Sequence, residues 1–488
     1  MVLLFCLPLL LHAQQKSIKR GLAYGHHSPT DLQALSAGVS WWYNWSEAPE
    51  STVSSNFTQY GFDFVPMAWN GNFNETKMRS FLAAHPQIKY MLAFNEPNFI
   101  DQANMTPSQV AAQWHRLESI ATDYNLKIVG PAVNFCGSCV TENGVHYTDP
   151  VKYLDDFFAA CTGCRVDYIA IHSYMNTVSA FSWYLNLFKK YNKPIWVTEY
   201  AGWEQNGNIN NANAQINYMM GATDLMEADS FVFRYAWFIG RSNSGASSYP
   251  YIDLLAQSGT LTPLGQAYVA MPVHDTSFFQ QVPALVEAEK YSRMKGIMLE
   301  RTSDITGFAQ VAYIEANDWI EYNVSVPQAA TYVLDFRVAV NQQASFEVQL
   351  DGVTGITQNL AATGGFNNWT TLSNTMHFPA GQHVLRIKAN APGFNLNSIN
   401  IRSNTPTAID PIQHNKPRVF LNPVRNRIEL LHAQSIRQVE LFSSNGQLLV
   451  TWNDLAKMDV QNLAKGLYLL RGSDRQGREL LKEKILVE

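Results

Sequence analysis

Two glutamates each close a short apolar run: Glu96 in Ala93-Phe94-Asn95-Glu96-Pro97-Asn98 and Glu199 in Ile195-Trp196-Val197-Thr198-Glu199-Tyr200. A carboxyl at the end of a buried strand loses hydration, so it must be hydrogen-bonded or kept for a function. Two such groups facing one another can cleave a glycosidic bond. One protonates the leaving oxygen while the other attacks the sugar carbon or activates water. Pro97 restricts the backbone beside Glu96, and Asn95 is suited to hydrogen-bond a sugar 2-hydroxyl. His172 and Tyr174 close another apolar run and are candidates for orienting the attacking group. Asn134 follows a further run and is a candidate sugar contact. Trp41, Trp42, Trp45, Trp69 and Trp237 offer flat apolar faces on which sugar rings stack. Some of these tryptophans are expected to line subsites and the others to pack. No His/Asp/Glu cluster has metal-ligand spacing, and no Gly-rich phosphate loop or Ser-His-Asp arrangement occurs, so catalysis is expected to need no cofactor.

Short apolar runs alternating with helical patterns position these groups. The expected strands are 21–25, 39–45, 63–69, 90–95, 128–133, 168–174, 195–200 and 231–238. Helices at 107–124, 149–160 and 212–227 carry apolar residues at three- and four-residue spacing. Eight strands alternating with helices in about 250 residues suit a (β/α)8 TIM barrel, whose chemistry sits at the C-terminal ends of the strands. Glu96 and Glu199 then close the fourth and seventh strands.

Bulk properties agree with an exported multidomain protein. A chain of 488 residues exceeds one ordinary domain. Its 46% hydrophobic and 15% charged residues are globular values. The net charge of −5, with Lys and Arg scattered, gives no nucleic-acid footprint. Twelve Trp, 22 Tyr and 26 Phe favour a carbohydrate ligand. Val2 to Leu11 is apolar and ends in Leu11-His12-Ala13, so 1–15 reads as a signal peptide, although no Lys or Arg precedes it. No later run is long enough to span a bilayer.

Four cysteines follow the leader: Cys136, Cys139, Cys161 and Cys164. Their spacing invites a zinc reading, but export favours disulfides. In a barrel the two pairs flank a helix of about twelve residues, roughly 18 Å long. Disulfide Cα atoms lie within about 7 Å, so two local bridges are expected.

The texture changes after 273. Residues 283–403 alternate apolar and polar positions between Gly, Asn and Pro turns and read as a β-sandwich of jelly-roll type. Linkers at 274–282 and 404–416 flank it. Residues 417–488 read as a small C-terminal β-sandwich with an Asn445-Gly446 hairpin signal.

Within a barrel domain at 16–273, residues 19–272 resemble glycoside hydrolase family 128. The resemblance runs through Arg20-Gly21-Leu22-Ala23-Tyr24, Trp41-Trp42-Tyr43-Asn44-Trp45, Leu92-Ala93-Phe94-Asn95-Glu96-Pro97, Gly130-Pro131-Ala132-Val133, the stretch from Cys161 to Tyr174 and Trp196-Val197-Thr198-Glu199. It implies a β-1,3-glucanase with Glu96 as general acid/base and Glu199 as nucleophile, carboxyls about 5 Å apart and net retention. Glu199 is then expected to be ionised and Glu96 to have a raised pKa. It also implies a sugar platform at Trp237. Residues 283–403 resemble carbohydrate-binding module family 6 through Val286-Glu287-Ala288-Glu289, Ala312-Tyr313-Ile314, Asp318-Trp319-Ile320-Glu321-Tyr322, Gly364-Gly365-Phe366-Asn367-Asn368-Trp369 and Gly393-Phe394-Asn395-Leu396-Asn397. That resemblance implies a sugar site at Tyr313, Phe366 and Asn395, and a structural calcium at Glu287 and Glu289. Phe366 stands where Trp is usual, and Trp319 and Trp369 are expected in the core.

The tail resembles the type IX secretion C-terminal sorting domain through Leu421-Asn422-Pro423, Ser444-Asn445-Gly446-Gln447 and Leu463-Ala464-Lys465-Gly466-Leu467-Tyr468. It implies a protein of a Bacteroidetes-type Gram-negative bacterium, handed to the secretion machinery and released or held at the cell surface. The expectation is a monomeric, endo-acting hydrolase of β-1,3-glucan; the rival readings are the same mechanism on another β-linked polymer, such as mixed-linkage glucan or xylan, or a non-catalytic polysaccharide binder.

Overall fold

The computed structural model describes residues 16–404 and, beyond them, 418–422, 427–431, 433, 436–443, 447–460, 463, 464 and 466–487. The leader, most of the second linker and the Asn445-Gly446 turn lie outside the described residues. The chain divides into two compact units between Asn404 and Thr405.

The first unit opens with eight parallel strands: β1 (Arg20–Ala23), β2 (Trp41–Tyr43), β3 (Asp63–Phe64), β4 (Tyr90–Leu92), β5 (Lys127–Val133), β6 (Tyr168–Ser173), β7 (Ile195–Tyr200) and β8 (Val232–Trp237). Their order is β3-β2-β1-β8-β7-β6-β5-β4. The ends of that sheet meet, because Leu92 N donates to Pro66 O (2.9 Å) and Ala68 N to Leu92 O (3.0 Å). Several strands are shorter than expected. Their C-terminal residues instead form rim loops, with Trp45 (φ 56°) and Glu96 (φ 42°) in the left-handed region.

Seven helices pack outside: α1 (Pro29–Leu35), α2 (Glu75–Ala84), α3 (Pro107–Asp123), α4 (Pro150–Ala160), α5 (Val178–Phe188), α6 (Ala212–Ala228) and α7 (Pro263–Ala270). Four start with the same local chemistry. Ser28, Thr106, Asp149 and Thr262 each cap the helix with a side-chain oxygen, and proline follows at the first helical position. The cap satisfies an orphan N–H, and proline has none to leave unsatisfied.

Inside the barrel, Arg234 lies over the rings of Trp41, Tyr90 and Trp196 at 5.6, 4.8 and 5.2 Å and pairs with Asp63 at 2.9 Å. Gly21 makes room for this floor, since a Cβ there would fall 2.3 Å from the Trp41 indole. Both local disulfides are present, Cys136–Cys139 and Cys161–Cys164, with Cα atoms 5.6 and 5.4 Å apart.

The β-sandwich that follows has two six-stranded sheets, antiparallel but for one short parallel edge pair. Phe336, Phe346 and Phe394 pack between them. Trp319 and Trp369 are half-buried rather than core. Trp319 packs under the Arg386 guanidinium at 4.7 Å, and Trp369 donates to the Ser303 hydroxyl at 3.0 Å. Each ring keeps a polar or charged partner at the surface, which an apolar core would deny it.

The sandwich is clasped to the barrel through α6. Buried Asp224 accepts from His274 Nε2 (2.8 Å) and from the Tyr291 hydroxyl, while His274 Nδ1 meets Tyr291 O at 3.0 Å. The second unit has a two-stranded and a four-stranded sheet around Ile428, Ile436, Val439, Leu441 and Leu470. Among the described residues, no helix is long and apolar enough to cross a membrane.

Candidate active site

Glu199 does not point where simple alternation along β7 would send it. Trp196 faces the barrel interior and Val197 the helices, which would turn Glu199 outward. The register corrects this. On one side Ile171 pairs with Val197 and His172 with Glu199; on the other, Tyr235 pairs with Val197 and Trp237 with Tyr200. Thr198 is therefore an extra residue, a bulge that re-aims Glu199 into the barrel mouth. Glu96 reaches the same space through its left-handed backbone at the end of β4. Such a conformation is costly for a residue with a Cβ and tends to be kept where function needs it.

Together they form a compact polar cluster. Glu199 Oε1 accepts from the Tyr43 hydroxyl (3.0 Å) and Trp45 Nε1 (2.9 Å), and Oε2 from the Tyr174 hydroxyl. His172 Nδ1 lies 2.9 Å from Glu96 Oε1 and 3.3 Å from Glu199 Oε2. One donor atom from each of Glu96, His172 and Glu199 lies within 4.8 Å of the others. That spacing would also suit an ion. The three donors come from β6, β7 and the loop after β4, which are distant segments of the chain.

Burial pushes the Glu199 carboxyl above its usual range, and the Glu96 charge adds to the rise. His172, the Tyr174 hydroxyl and the Trp45 indole pull it back. Sequence reasoning expected an ionised Glu199; its burial works against that charge, and the surrounding donors work for it. Burial pulls His172 down, but the charges of Glu199 and Glu96 outweigh it and raise the ring above its ordinary value.

A cavity of about 390 Å³ opens over the carboxyls. Trp45, Trp69, Asn95, Glu96, Tyr174 and Glu199 line it, as do Gln102, Phe238 and Ile239. Asn95 Nδ2 is held by Gln102 Oε1 at 3.3 Å, while buried Asn95 Oδ1 has no protein partner. His172 is fully buried beneath both carboxyls rather than lining the cavity. Asn134 also stays out of the lining, since its carbonyl holds Asn98 Nδ2 (2.8 Å) and its side chain the Phe135 N–H (2.9 Å).

Two expected sugar platforms are corrected. Trp42 is fully buried on the helix side of β2, against Phe57, Phe62 and Phe64. Its neighbours Trp41 and Tyr43 take the interior positions, as alternation requires. Trp237 likewise faces outward, packs on Tyr200 and donates to Ile252 O at 2.7 Å. Ala236 and Phe238 hold the interior side of that strand, so Phe238 is the wall residue.

The wall continues beyond the cavity. Trp203, 44% exposed, stands edge-on to Tyr174 at 5.5 Å and to Tyr249 at 6.1 Å. Sequence reasoning missed Tyr43, Gln102, Trp203 and Phe238. For Tyr43 and Phe238 the alternation of β2 and β8 was the available signal.

Residues 21–268 match the family model of the glycosyl hydrolase catalytic core, about half of the chain. The chain belongs to that family. Residues 287–403 of the hydrolase match the carbohydrate binding module (family 6), and residues 418–488 the secretion system C-terminal sorting domain. The hydrolase is 42% identical to a GH128 (subgroup II) endo-β-1,3-glucanase from Pseudomonas viridiflava, over 53% of this chain and 100% of that one, with a TM-score of 0.48. It is 38% identical to a carbohydrate binding module of Cellvibrio mixtus lichenase 5A, solved with cellotriose, over 25% of this chain and 98% of that one (TM-score 0.24). It is 28% identical to Alkali-sensitive linkage protein 1 of Schizosaccharomyces pombe, over 52% of this chain and 44% of that protein. The hydrolase spans under half the length of the curated relatives it matches.

In the binding module of the hydrolase, Tyr313 and Phe366 are exposed, at 56% and 43%. Buried Asn395 donates to Glu300 at 3.4 Å, and Glu300 also bonds the Tyr313 hydroxyl. Glu300 is thus a further polar group at that end of the sandwich, which sequence reasoning missed.

The coupling of His172 to Glu199 sets a pH dependence. A histidine raised in the fold contributes stability that is complete below about pH 6.5 and lost as pH climbs through its folded value. Glu199 acts in the same sense, because a raised acid costs stability as pH rises above its ordinary value. Glu199→Gln removes the second effect and the larger of the two charges behind the first, leaving the Glu96 contact with His172 in place. Denaturant unfolding between pH 5 and 9 is expected to show stability falling with pH in the parent and a flatter curve in the variant. Parallel curves would contradict the coupling.

Proposed function

We propose that the hydrolase is a retaining endo-β-1,3-glucanase working by double displacement, with Glu199 as nucleophile and Glu96 as general acid/base. The observation that carries it is the approach of the two carboxyls, with oxygens inside 4.8 Å. Inverting enzymes separate their carboxyls by about 6.5–9.5 Å to seat a water, whereas retaining pairs stand about 5–5.5 Å apart. The roles follow from the partners. Three fixed donors on Glu199 stabilise a charged carboxylate ready to attack. Glu96 has His172 as its neighbour and faces the cavity, where it can pass a proton to the leaving oxygen and take one back from water. Asn95 Oδ1 is free to accept from a sugar hydroxyl. Trp45, Trp69, Phe238 and Trp203 offer stacking faces. The P. viridiflava enzyme supports a β-1,3-linked substrate and an endo mode.

No cofactor enters this scheme. In the binding module, however, Glu287 Oε2, Glu289 Oε2 and Asn397 Oδ1 are buried without hydrogen-bond partners. Two of them border Gly307, where a Cβ would lie 3.0 Å from Asn397 Oδ1 and 3.4 Å from Glu287 Oε2. Burial pushes Glu289 up to about 7. Buried, unpartnered oxygens of this kind fit a hard cation, and these three residues would hold a structural calcium. The tail match supports export through the type IX machinery to the surface or surroundings of a Bacteroidetes-type bacterium, with the enzyme acting as a monomer.

Reducing-sugar release from laminarin and curdlan tests the main reading. The parent should cut both, and Glu199→Gln should lose at least about 10³-fold in kcat. Cleavage of xylan or mixed-linkage glucan instead would keep the mechanism and replace the substrate. Glucan binding without hydrolysis would overturn the catalytic roles.

Calcium at about 100 times its Kd should add about 2.7 kcal/mol to module stability. Calorimetry with calcium or chelator reads this. An unchanged transition, or the same response in Glu287→Gln, would contradict the site.

A further inference from the structure

Phe135 and Trp183 lie outside the catalytic cavity and the binding module, and neither has a role so far. They are 39% and 54% exposed, large apolar rings left to solvent. Their planes are parallel to within 3°, with centroids 6.3 Å apart. Rings that only shield each other would not leave this much of both side chains open. Large exposed rings held side by side instead offer apolar surface to a partner of the same kind, such as the C–H face of a pyranose ring.

The pair is firmly mounted. Phe135 stands two residues beyond β5, on the catalytic side of the barrel, immediately before the Cys136–Cys139 bridge. Its N–H is held by Asn134, whose carbonyl accepts from Asn98, two residues after Glu96. Trp183 projects from α5. On that helix the exposed residues at i−4 and i+3 are Ser179 and Asn186, uncharged hydrogen-bonding groups. Tyr184 joins the pair to the interior. Its ring packs on Phe135 at 5.4 Å, and its hydroxyl donates to Val133 O at 3.4 Å. Burial raises the Tyr184 hydroxyl, and the Glu96 charge is near enough to raise it further. The platform therefore lies close to the cavity without being part of its lining.

We propose that Phe135 and Trp183 form a second sugar-binding platform on the barrel, which holds a β-glucan chain beyond the residues bound at the carboxyls. The ligand class rests on the glucanase reading above. The uncharged flanks suit a neutral polymer rather than a charged partner. A chain long enough to reach the platform gains a contact that a short oligosaccharide lacks.

The full chain carrying Tyr313→Ala, which blunts the module's own stacking, is the background for the test. Into it go Phe135→Ala and Trp183→Ala together, and electrophoresis through laminarin-containing gels reads binding. Losing two stacking faces should weaken retardation by about threefold or more. On curdlan the rate should fall at least about fivefold more than on laminarihexaose. Unchanged retardation with an unchanged curdlan-to-hexaose ratio would overturn the platform, as would an equal loss on both substrates, which marks damage to the fold. If the parent cuts no glucan yet laminarin retardation still depends on the pair, the platform stands and the catalytic reading falls.

Discussion

The desolvated carboxylate of Glu199 is the constraint around which the barrel mouth is built. A charge at this depth is tolerated only where donors replace the water it has lost. Tyr43, Trp45 and Tyr174 supply them from β2, from its rim loop and from the residue following β6, so three separate parts of the barrel are committed to one side chain. The Thr198 bulge delivers the group to them. His172 then stands between this carboxylate and Glu96 and couples the two.

The same donors shape the space above. Trp45 and Tyr174 each spend their polar edge on Glu199 and turn an apolar face to the cavity. Binding surface and catalytic electrostatics are thereby built from the same rings. The aromatic line runs on from Phe238 and Tyr174 to Trp203 and Tyr249, which suits a polymer more than a small sugar. The binding module, clasped to α6 through Asp224, His274 and Tyr291, is held to the barrel by buried polar contacts as well as by chain connection.

Much of the fold was legible because its signals are local. Strand–helix alternation and the spacing of Glu96 and Glu199 on the fourth and seventh strands are both visible in the chain. The two disulfides followed from the export signal, which favours bridges over metal, and from helix length, which separates the pairs. What stayed hidden depends on which side of a strand a residue faces. Trp42 and Trp237 carry the ring type a sugar site uses, yet strict alternation turns both outward, and Tyr43 and Phe238 take the inner places. At β7 the opposite happens, since one extra residue breaks the alternation and brings Glu199 inward. The Glu96–His172–Glu199 cluster joins three distant segments: each residue was legible as a strand-end candidate, but the contact of His172 with both carboxyls was not. Glu300 and Trp203 were missed for a similar reason, because their partners come from other strands and loops.

The central claim is that two carboxyls this close act as nucleophile and acid/base rather than as base and acid around a water. The anomeric form of the first product tests it most directly. Proton NMR of laminarihexaose cleavage, recorded before mutarotation, is predicted to show the β-anomer at the new reducing end. The α-anomer as first product would contradict double displacement and the roles assigned to Glu96 and Glu199.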